Sequence, residues 1–322
     1  MVRLHLQIII FTLVFLFLGI SIVLSDIFNT PYNVLSVSQE SDECGVTFID
    51  GWLVYSSSDR FNSAGGWDLW AVHADDVFSK RIIYSFKLNL EGLSIPEIDN
   101  SLLIRGIDTD YNEASPSYNP LTQKLYFHSD RPKGMGLEDI YEASIVISDK
   151  KGIIVKSVEN IGEPINSPLV EACPCISKDG KFIIFASNRD GGYGGLDLWF
   201  SVKNKNGWSE PVNMGPLVNT PGTEKYPYLT DIGLFWASDG RKDSKGYDIY
   251  FTSDYFGGNS NILRLQSPIN SQFNDWGLAV YNDKYIIWSS DRPGGAGGVD
   301  LLSVEIPELR PDIITIIASI LY

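Results

Sequence analysis

The chain has 322 residues, 44% of them hydrophobic and 12% aromatic, which is enough apolar material for a sizeable core and too much for a disordered polymer. A formal net charge of −15 repels phosphate backbones and anionic headgroups, so no nucleic-acid partner is expected, while cationic groups, metal ions and neutral polymers stay compatible. The three cysteines, Cys44, Cys173 and Cys175, form no CxxC or Cys/His cluster, which excludes a zinc site and a disulfide framework as organisers of the fold.

In chain order, the first segment is apolar. Arg3 is the only formal charge before Asp26, and Ile8 to Leu24 is almost wholly hydrophobic. A basic start, an apolar run and small residues at Val23 and Ser25 predict an export signal over 1–25, cleaved after Ser25. An uncleaved N-terminal membrane anchor is the alternative, and would be the chain's only link to a membrane. Cys44 lies too far downstream for lipoprotein processing. The expected location is therefore the periplasm or cell envelope, with 26–322 as the folded domain.

That domain is built on a repeat. A block reads SDRFNSAGGWDLW at Ser58, SDRPKGMGLEDIY at Ser129, SNRDGGYGGLDLW at Ser187, SDGRKDSKGYDIY at Ser238 and SDRPGGAGGVDLL at Ser290. Its anchors Asp59, Asp130, Asn188, Asp239 and Asp291 precede Asp68, Asp139, Asp197, Asp248 and Asp300 by nine residues each. A second element, with Asp108, Asn166, Asn219 and Asn270 near its start, recurs upstream of the last four blocks. Between these landmarks lie short runs rich in aromatic and β-branched residues, such as FIIFAS from Phe182 and YIIWSS from Tyr285, separated by Gly, Asn and Asp turns. The unit parses into four short strands, with the block reversing the chain between the second and third.

Four antiparallel strands per unit, repeated, predict an all-β chain folded as a β-propeller. Successive blocks start 71, 58, 51 and 52 residues apart, which gives five blades; a degenerate sixth, hidden in the excess around Lys80 to Ser101, is the alternative. Ring closure needs a strand from a terminus, and both Asn33–Ser38 and the apolar tail from Asp312 to Leu321 compete for it.

The blocks, fullest at Ser187–Trp199 and Ser290–Leu301, resemble the TolB-type propeller repeats of bacterial envelope proteins, and the likeness covers nearly all of 42–303. The resemblance implies a binding platform in the envelope that engages a protein or glycan polymer. In that family the propeller often precedes an OmpA-like domain; this chain ends about twenty residues after its last block, so peptidoglycan anchoring is not carried over.

Two sets of residues are site candidates. Arg60, Arg131, Arg189, Arg241 and Arg292 sit seven or eight residues before the second Asp of their block, which predicts a clamp across the hairpin with the first Asp or Asn capping the turn. A calcium loop is the competing reading, disfavoured because the arginine repels the ion; no cofactor is otherwise expected. Aligned on the blocks, Asp42, Glu113, Glu171, Glu224 and Asn274 form one column at the start of the innermost strand. This column is either a ring of ligand-binding groups at a channel mouth or, favoured for a feature shared by every blade, a stitch between blades. The same alignment puts Cys44 and Cys173 in one column of non-adjacent blades, predicting buried free thiols.

Catalysis has little support. No G-x-S-x-G elbow is present, and His128 fills a slot held elsewhere by Ala186, Ala237 and Ser289. No catalytic or metal-binding residue is assigned, and the expected function is non-enzymatic binding. The alternative is a five-bladed glycoside hydrolase drawing on the carboxylate column. Trp70, Trp199, Trp236, Trp276 and Trp288 are expected in the core, and Trp52, Trp67 and Trp208 at the surface.

Overall fold

A computed structural model describes residues 32–33, 41–58, 60, 63, 65–78, 101–148, 152–256 and 262–305. Asp59, residues 1–25, the Lys80–Asn100 part of the insertion and the 312–321 tail lie outside the described residues. The fold is a five-bladed β-propeller, each blade an antiparallel sheet. Blade 1 comprises β2 (Glu43–Ile49), β3 (Trp52–Ser58), β4 (Trp67–His73) and β5 (Leu102–Leu103), with the short helix α1 (Ala74–Phe78) after β4. Blade 2 comprises β6 (Glu113–Asn119), β7 (Lys124–Ser129), β8 (Asp139–Ser148) and β9 (Gly152–Asn160). Blade 3 has β10 (Glu171–Ile176), β11 (Phe182–Ser187) and β12 (Asp197–Asn204), with a split outer strand, β13 (Gly207–Trp208) and β14 (Val212–Asn213). Blade 4 has β15 (Glu224–Thr230), β16 (Gly233–Ser238), β17 (Asp248–Thr252) and β18 (Leu263–Arg264). Blade 5 has β19 (Asp275–Tyr281), β20 (Tyr285–Ser290) and β21 (Asp300–Glu305).

The outer strand of blade 5 comes from the other end of the chain. Tyr32 and Asn33 form β1, which pairs antiparallel with Ser303 and Leu302 of β21. The N-terminal candidate thus supplies a closing strand, described at Tyr32–Asn33, while 34–38 lie outside the described residues.

The second strands read as unbroken apolar runs because each blade is covered on both faces by its neighbours. Ile183, Ile184, Phe185 and Ala186 of β11 are all fully buried. Five hydrophobic layers result, one between each pair of adjacent blades. Leu53, Tyr55 and Val72 of blade 1 meet Ala279, Ile287 and Leu301 of blade 5, and Phe78 of α1 stacks there on Tyr285 at 4.3 Å. The other four layers join blades 1–2, 2–3, 3–4 and 4–5.

Backbone stitches register the blades. The carbonyl just before the second block Asp accepts the N–H that opens the next blade: Glu138 to Glu171, Leu196 to Glu224, Tyr247 to Asp275, and Val299 to Glu43 across the ring closure. The recurrent upstream asparagine does the same with a side chain. Asn219 accepts the Leu198 N–H at 2.8 Å and donates to the Leu198 carbonyl at 3.0 Å, filling the place of a missing strand. Asn166 does so with Ile140 and Asn270 with Ile249. Asp108 has no amide to donate, and instead accepts from Gly106 N–H.

Because Asn219 is 2% exposed, Asn219→Ala strands a buried N–H and a buried carbonyl. The expected loss is about 3 kcal/mol of stability, on the rule of 1–3 kcal/mol per orphaned group. Urea unfolding followed by tryptophan fluorescence measures it, and a change under about 0.5 kcal/mol, the size of an ordinary surface substitution, contradicts the stitch.

Candidate functional site

The carboxylate column exists, with two of its members corrected. The residues opening the inner strands are Glu43, Glu113, Glu171, Glu224 and Asp275, paired with Ser57, Ser129, Ser187, Ser238 and Ser290, which is the block serine in every blade but the first, where Ser57 precedes it. Asp42 and Asn274 lie one residue earlier. The turn of the first hairpin holds two residues in blade 1 (Asp50, Gly51) and three in blade 5 (Asn282 to Lys284) against four in blade 2. The block loop of blade 1 is also one residue longer, since Ser57 pairs with Asp68 where Ser129 pairs with Asp139. Constant spacing therefore slips the alignment by one. Asp42 and Asn274 act as acceptors for the preceding blade, from Val299 N–H and Tyr247 N–H, both within 2.9 Å.

Each carboxylate of the column is fully buried. In blade 3, Glu171 accepts from Ser167 N–H at 2.6 Å, Ser167 Oγ at 2.7 Å, Ser187 Oγ at 2.8 Å and Arg189 Nη2 at 3.0 Å. Glu113 has the corresponding set from Thr109, Ser129 and Arg131, and Asp275 from Ser271 and Arg292. Desolvation pushes the Glu113 and Glu224 carboxyls above the usual range, against the pull of their hydroxyl donors and, for Glu113, of Arg131.

The block arginines thus have a different partner from the one expected. Arg131, Arg189 and Arg292 bridge to the inner-strand carboxylate at 3.0, 3.0 and 2.6 Å, not to the second block Asp, and Arg60 approaches Glu43 at 3.9 Å. Each also donates to the connector between blades: Arg131 to the Ile107 carbonyl, Arg189 to Pro164 and Ile165, Arg292 to Pro268 and Ile269. Their guanidinium groups lie over aromatic rings of the second and third strands, as Arg189 does over Phe185 at 5.0 Å and Trp199 at 5.6 Å.

The second block Asp holds its own loop. Asp197 accepts Tyr193 N–H and Gly194 N–H, Asp300 accepts Ala296 and Gly297, Asp139 accepts Met135 and Gly136, and Asp68 accepts Ser63 Oγ at 2.6 Å. Asp248 accepts Lys245 N–H and pairs with Arg264 at 2.7 Å. The first anchors Asp130, Asn188, Asp239 and Asp291 tie the loop to the residue entering the inner strand, as Asp130 does with Asn112. Among the described residues, no cluster of three or more His, Cys, Asp or Glu could hold a metal.

Below the carboxylates the inner strands enclose a cavity of about 320 Å³ along the ring axis. Its wall carries a device that the sequence reading did not predict. The third residue of every inner strand is left-handed: Gly45, Ser115, Cys173, Tyr226 and Gly277, with φ between 50° and 64°. Each marks a bulge where the pairing register shifts. The two glycines adopt this conformation freely, while the three side chains do so at a cost of about 1 kcal/mol or more. Among the described residues, the one carboxylate on this wall is Asp50; Lys178 also lines it, and the rest is apolar, hydroxyl or thiol, including Tyr118, Pro174, Tyr228 and Leu278.

The thiols are part of the wall stitching. Ser117 Oγ accepts Ile176 N–H from the next blade, and Cys175 Sγ does the same for Leu229 N–H at 3.3 Å. All three cysteines are free and buried. Cys44 follows Glu43 and therefore aligns with Ala172, so it does not share a column with Cys173. Burial pushes the Cys44 and Cys175 thiols up to about 12 and raises that of Cys173, the direction that disfavours the nucleophilic thiolate. Trp70, Trp199, Trp236 and Trp288 lie in the core and Trp276 is partly exposed; Trp52, expected at the surface, is 5% exposed and packs in the layer between blades 1 and 2.

Two outcomes test this reading. Arg189→Ala leaves Glu171 buried with its charge uncompensated, for an expected loss of about 3–5 kcal/mol, while a neutral effect in denaturant unfolding would contradict the clasp. His128 Nδ1 accepts the Cys173 N–H at 3.3 Å, and burial lowers its pKa, with Glu138 and Asp130 opposing. The unfolded chain therefore binds the proton first as pH falls, so stability is complete above about pH 6.5 and declines below it. His128→Ser restores the hydroxyl that accepts Ser115 N–H at Ser56, and it should flatten this slope in thermal unfolding between about pH 5 and 7. An unchanged slope assigns it to other groups.

The chain matches no protein-family profile and no curated protein. Among solved structures, TolB from Acinetobacter baumannii superposes with a TM-score of 0.42 at 15% identity, over 78% of this chain and 52% of that one, so this chain spans about half its length. An alpha-L-arabinofuranosidase from Lactobacillus brevis gives 0.53 at 10% identity, over 86% and 93%. A GH43_12 protein retrieved from a capybara gut metagenome gives 0.51 at 9%, over 88% and 55%. At these identities the similarity establishes the propeller fold alone. TolB is one neighbour among several propellers, and none of these comparisons supports an OmpA-type association.

Proposed function

We propose that the protein is a non-catalytic binding propeller of the cell envelope, engaging a protein or glycan polymer through the end of the ring that carries the block loops. The observation that carries this reading is where the exposed apolar side chains sit. Of the eleven large apolar side chains exposed among the described residues, five (Tyr111, Met135, Leu137, Tyr193 and Leu217, 37–69% exposed) belong to block loops or inter-blade connectors. Hydrogen bonds such as Leu137 N–H to the Leu169 carbonyl and Gly195 N–H to the Gly222 carbonyl put loops and connectors on one end. Large apolar groups held open on a rigid frame favour association.

The second reading is glycoside hydrolysis, for which the arabinofuranosidase-like fold is the favouring observation. It requires an acid and a second carboxylate flanking one bond. The described cavity wall offers Asp50 alone, and Glu113, Glu171 and Asp275 are engaged by arginine and hydroxyl donors. Envelope placement rests on the apolar Ile8–Leu24 segment.

Co-sedimentation with purified envelope fragments tests the proposal. Tyr111→Asp with Leu137→Asp is expected to weaken binding about tenfold or more, as loss of one or two interface anchors does. Leu121→Asp, in the first hairpin turn of blade 2 at the opposite end, should leave binding unchanged. Release of reducing sugar from arabinan by the wild type, abolished by Asp50→Asn or Glu171→Gln, overturns the proposal in favour of hydrolysis.

A further inference from the structure

In four blades the block arginine faces the inner-strand carboxylate; blade 4 departs from the pattern. Its loop reads Ser238-Asp239-Gly240-Arg241, so glycine takes the slot of Arg131, Arg189 and Arg292 and the arginine moves one residue on. The glycine is required there, because a Cβ on Gly240 would collide with Thr220 Oγ1 and the Gly222 backbone. Displaced, Arg241 makes no ion pair with Glu224. Its Nη2 donates to the Leu217 and Val218 carbonyls at 2.6 and 2.9 Å, and its guanidinium lies over Trp236 and Tyr250. Nε has no hydrogen-bond partner.

Arg241 lines an open cleft of about 400 Å³ between blades 3 and 4, with Lys242, Tyr193, Asp243 and the rings of Pro216 and Pro221. Lys242 is exposed and forms no ion pair among the described residues, and Tyr193 is 49% exposed. Among the described residues Asp243 is the one carboxylate lining the cleft, and it accepts the Tyr250 hydroxyl at 3.1 Å. Two cations beside an exposed aromatic face and proline walls therefore meet in a cleft of about the volume of one or two sugar rings.

We propose that this cleft binds the carboxylate of a short acidic saccharide, a hexuronate unit, with Arg241 and Lys242 holding the carboxylate and Tyr193 stacking on the ring. This deepens the binding reading above by naming a ligand class, and rests on it. A saccharide fits better than a peptide because the connector backbone a peptide would pair with is already engaged. Leu217 and Val218 carbonyls hold Arg241, the Gly222 carbonyl holds Gly195 N–H, and Gly222 N–H bonds Thr220 Oγ1. The net charge of −15 favours a short, singly charged unit over a long polyanion.

Isothermal titration of the whole protein with galacturonate, digalacturonate, galactose and acetyl-glutamate separates the possibilities. Uronate binding with a Kd on the order of 1 mM is expected, with galactose and acetyl-glutamate much weaker. Lys242→Gln, an exposed change that leaves the unfolding midpoint in place, should weaken it about tenfold, and Arg241→Gln at least as much. Lys156→Gln, on the outer strand of blade 2, should change nothing. The inference is overturned by absent uronate binding, by equal binding of galactose, by tighter binding of acetyl-glutamate, or by affinity unchanged in K242Q with R241Q. If envelope co-sedimentation still depends on Tyr111 and Leu137 in that case, the binding reading survives and only the ligand assignment falls.

Discussion

The structure depends on one repeated contact, the buried arginine–carboxylate pair at the head of four of the five inner strands. A carboxylate taken out of water needs a counter-charge and donors for its remaining lone pairs, and Glu171 has four such donors from three segments of chain. Those segments are the connector, the second strand and the block loop. Because Arg189 also grips the connector carbonyls, the pair fixes where one blade ends and the next begins. The aromatic rings beneath the guanidinium belong to the hydrophobic layers between blades, which links the polar clasp to the apolar core.

The same geometry shapes the axis of the molecule. A bulge two residues below each clasp turns the inner strand and carries its backbone donors toward the neighbouring blade. There the bulge N–H groups of Ser115 and Cys173 meet Ser56 and His128, while farther along the inner strands Ser117 and Cys175 accept from Ile176 and Leu229. The cysteines are explained by this packing, with no redox or metal chemistry required of them. What is left on the described cavity wall is largely apolar, with charge confined to Asp50 and Lys178.

In a ring of near-identical blades, functional individuality resides in departures from the repeat. Every blade buries a carboxylate, so the column marks scaffold. Blade 4 alone opens its clasp, by a one-residue displacement that Gly240 makes possible, and that opening coincides with a cleft bearing free cationic charge. Among the described residues the exposed apolar loop side chains lie in blades 2 and 3 and the connectors flanking them.

Much of this was legible in the chain. Five blocks of strand–loop–strand, apolar runs too short for helices and turn residues between them determine an all-β ring of five blades, because local periodicity and turn chemistry are properties of neighbouring residues. The sequence also identified the upstream asparagines as a recurring landmark, without showing that they replace strand edges. It could not decide which carboxylate faces which arginine. That choice depends on contacts between distant segments, and turns of two, three or four residues shift the register while leaving the block spacing intact. Asp42 and Asn274 therefore yielded their places to Glu43 and Asp275. Only the tertiary structure revealed the left-handed bulges, since Ser115, Cys173 and Tyr226 have no intrinsic preference for that conformation and are held in it by the closed ring.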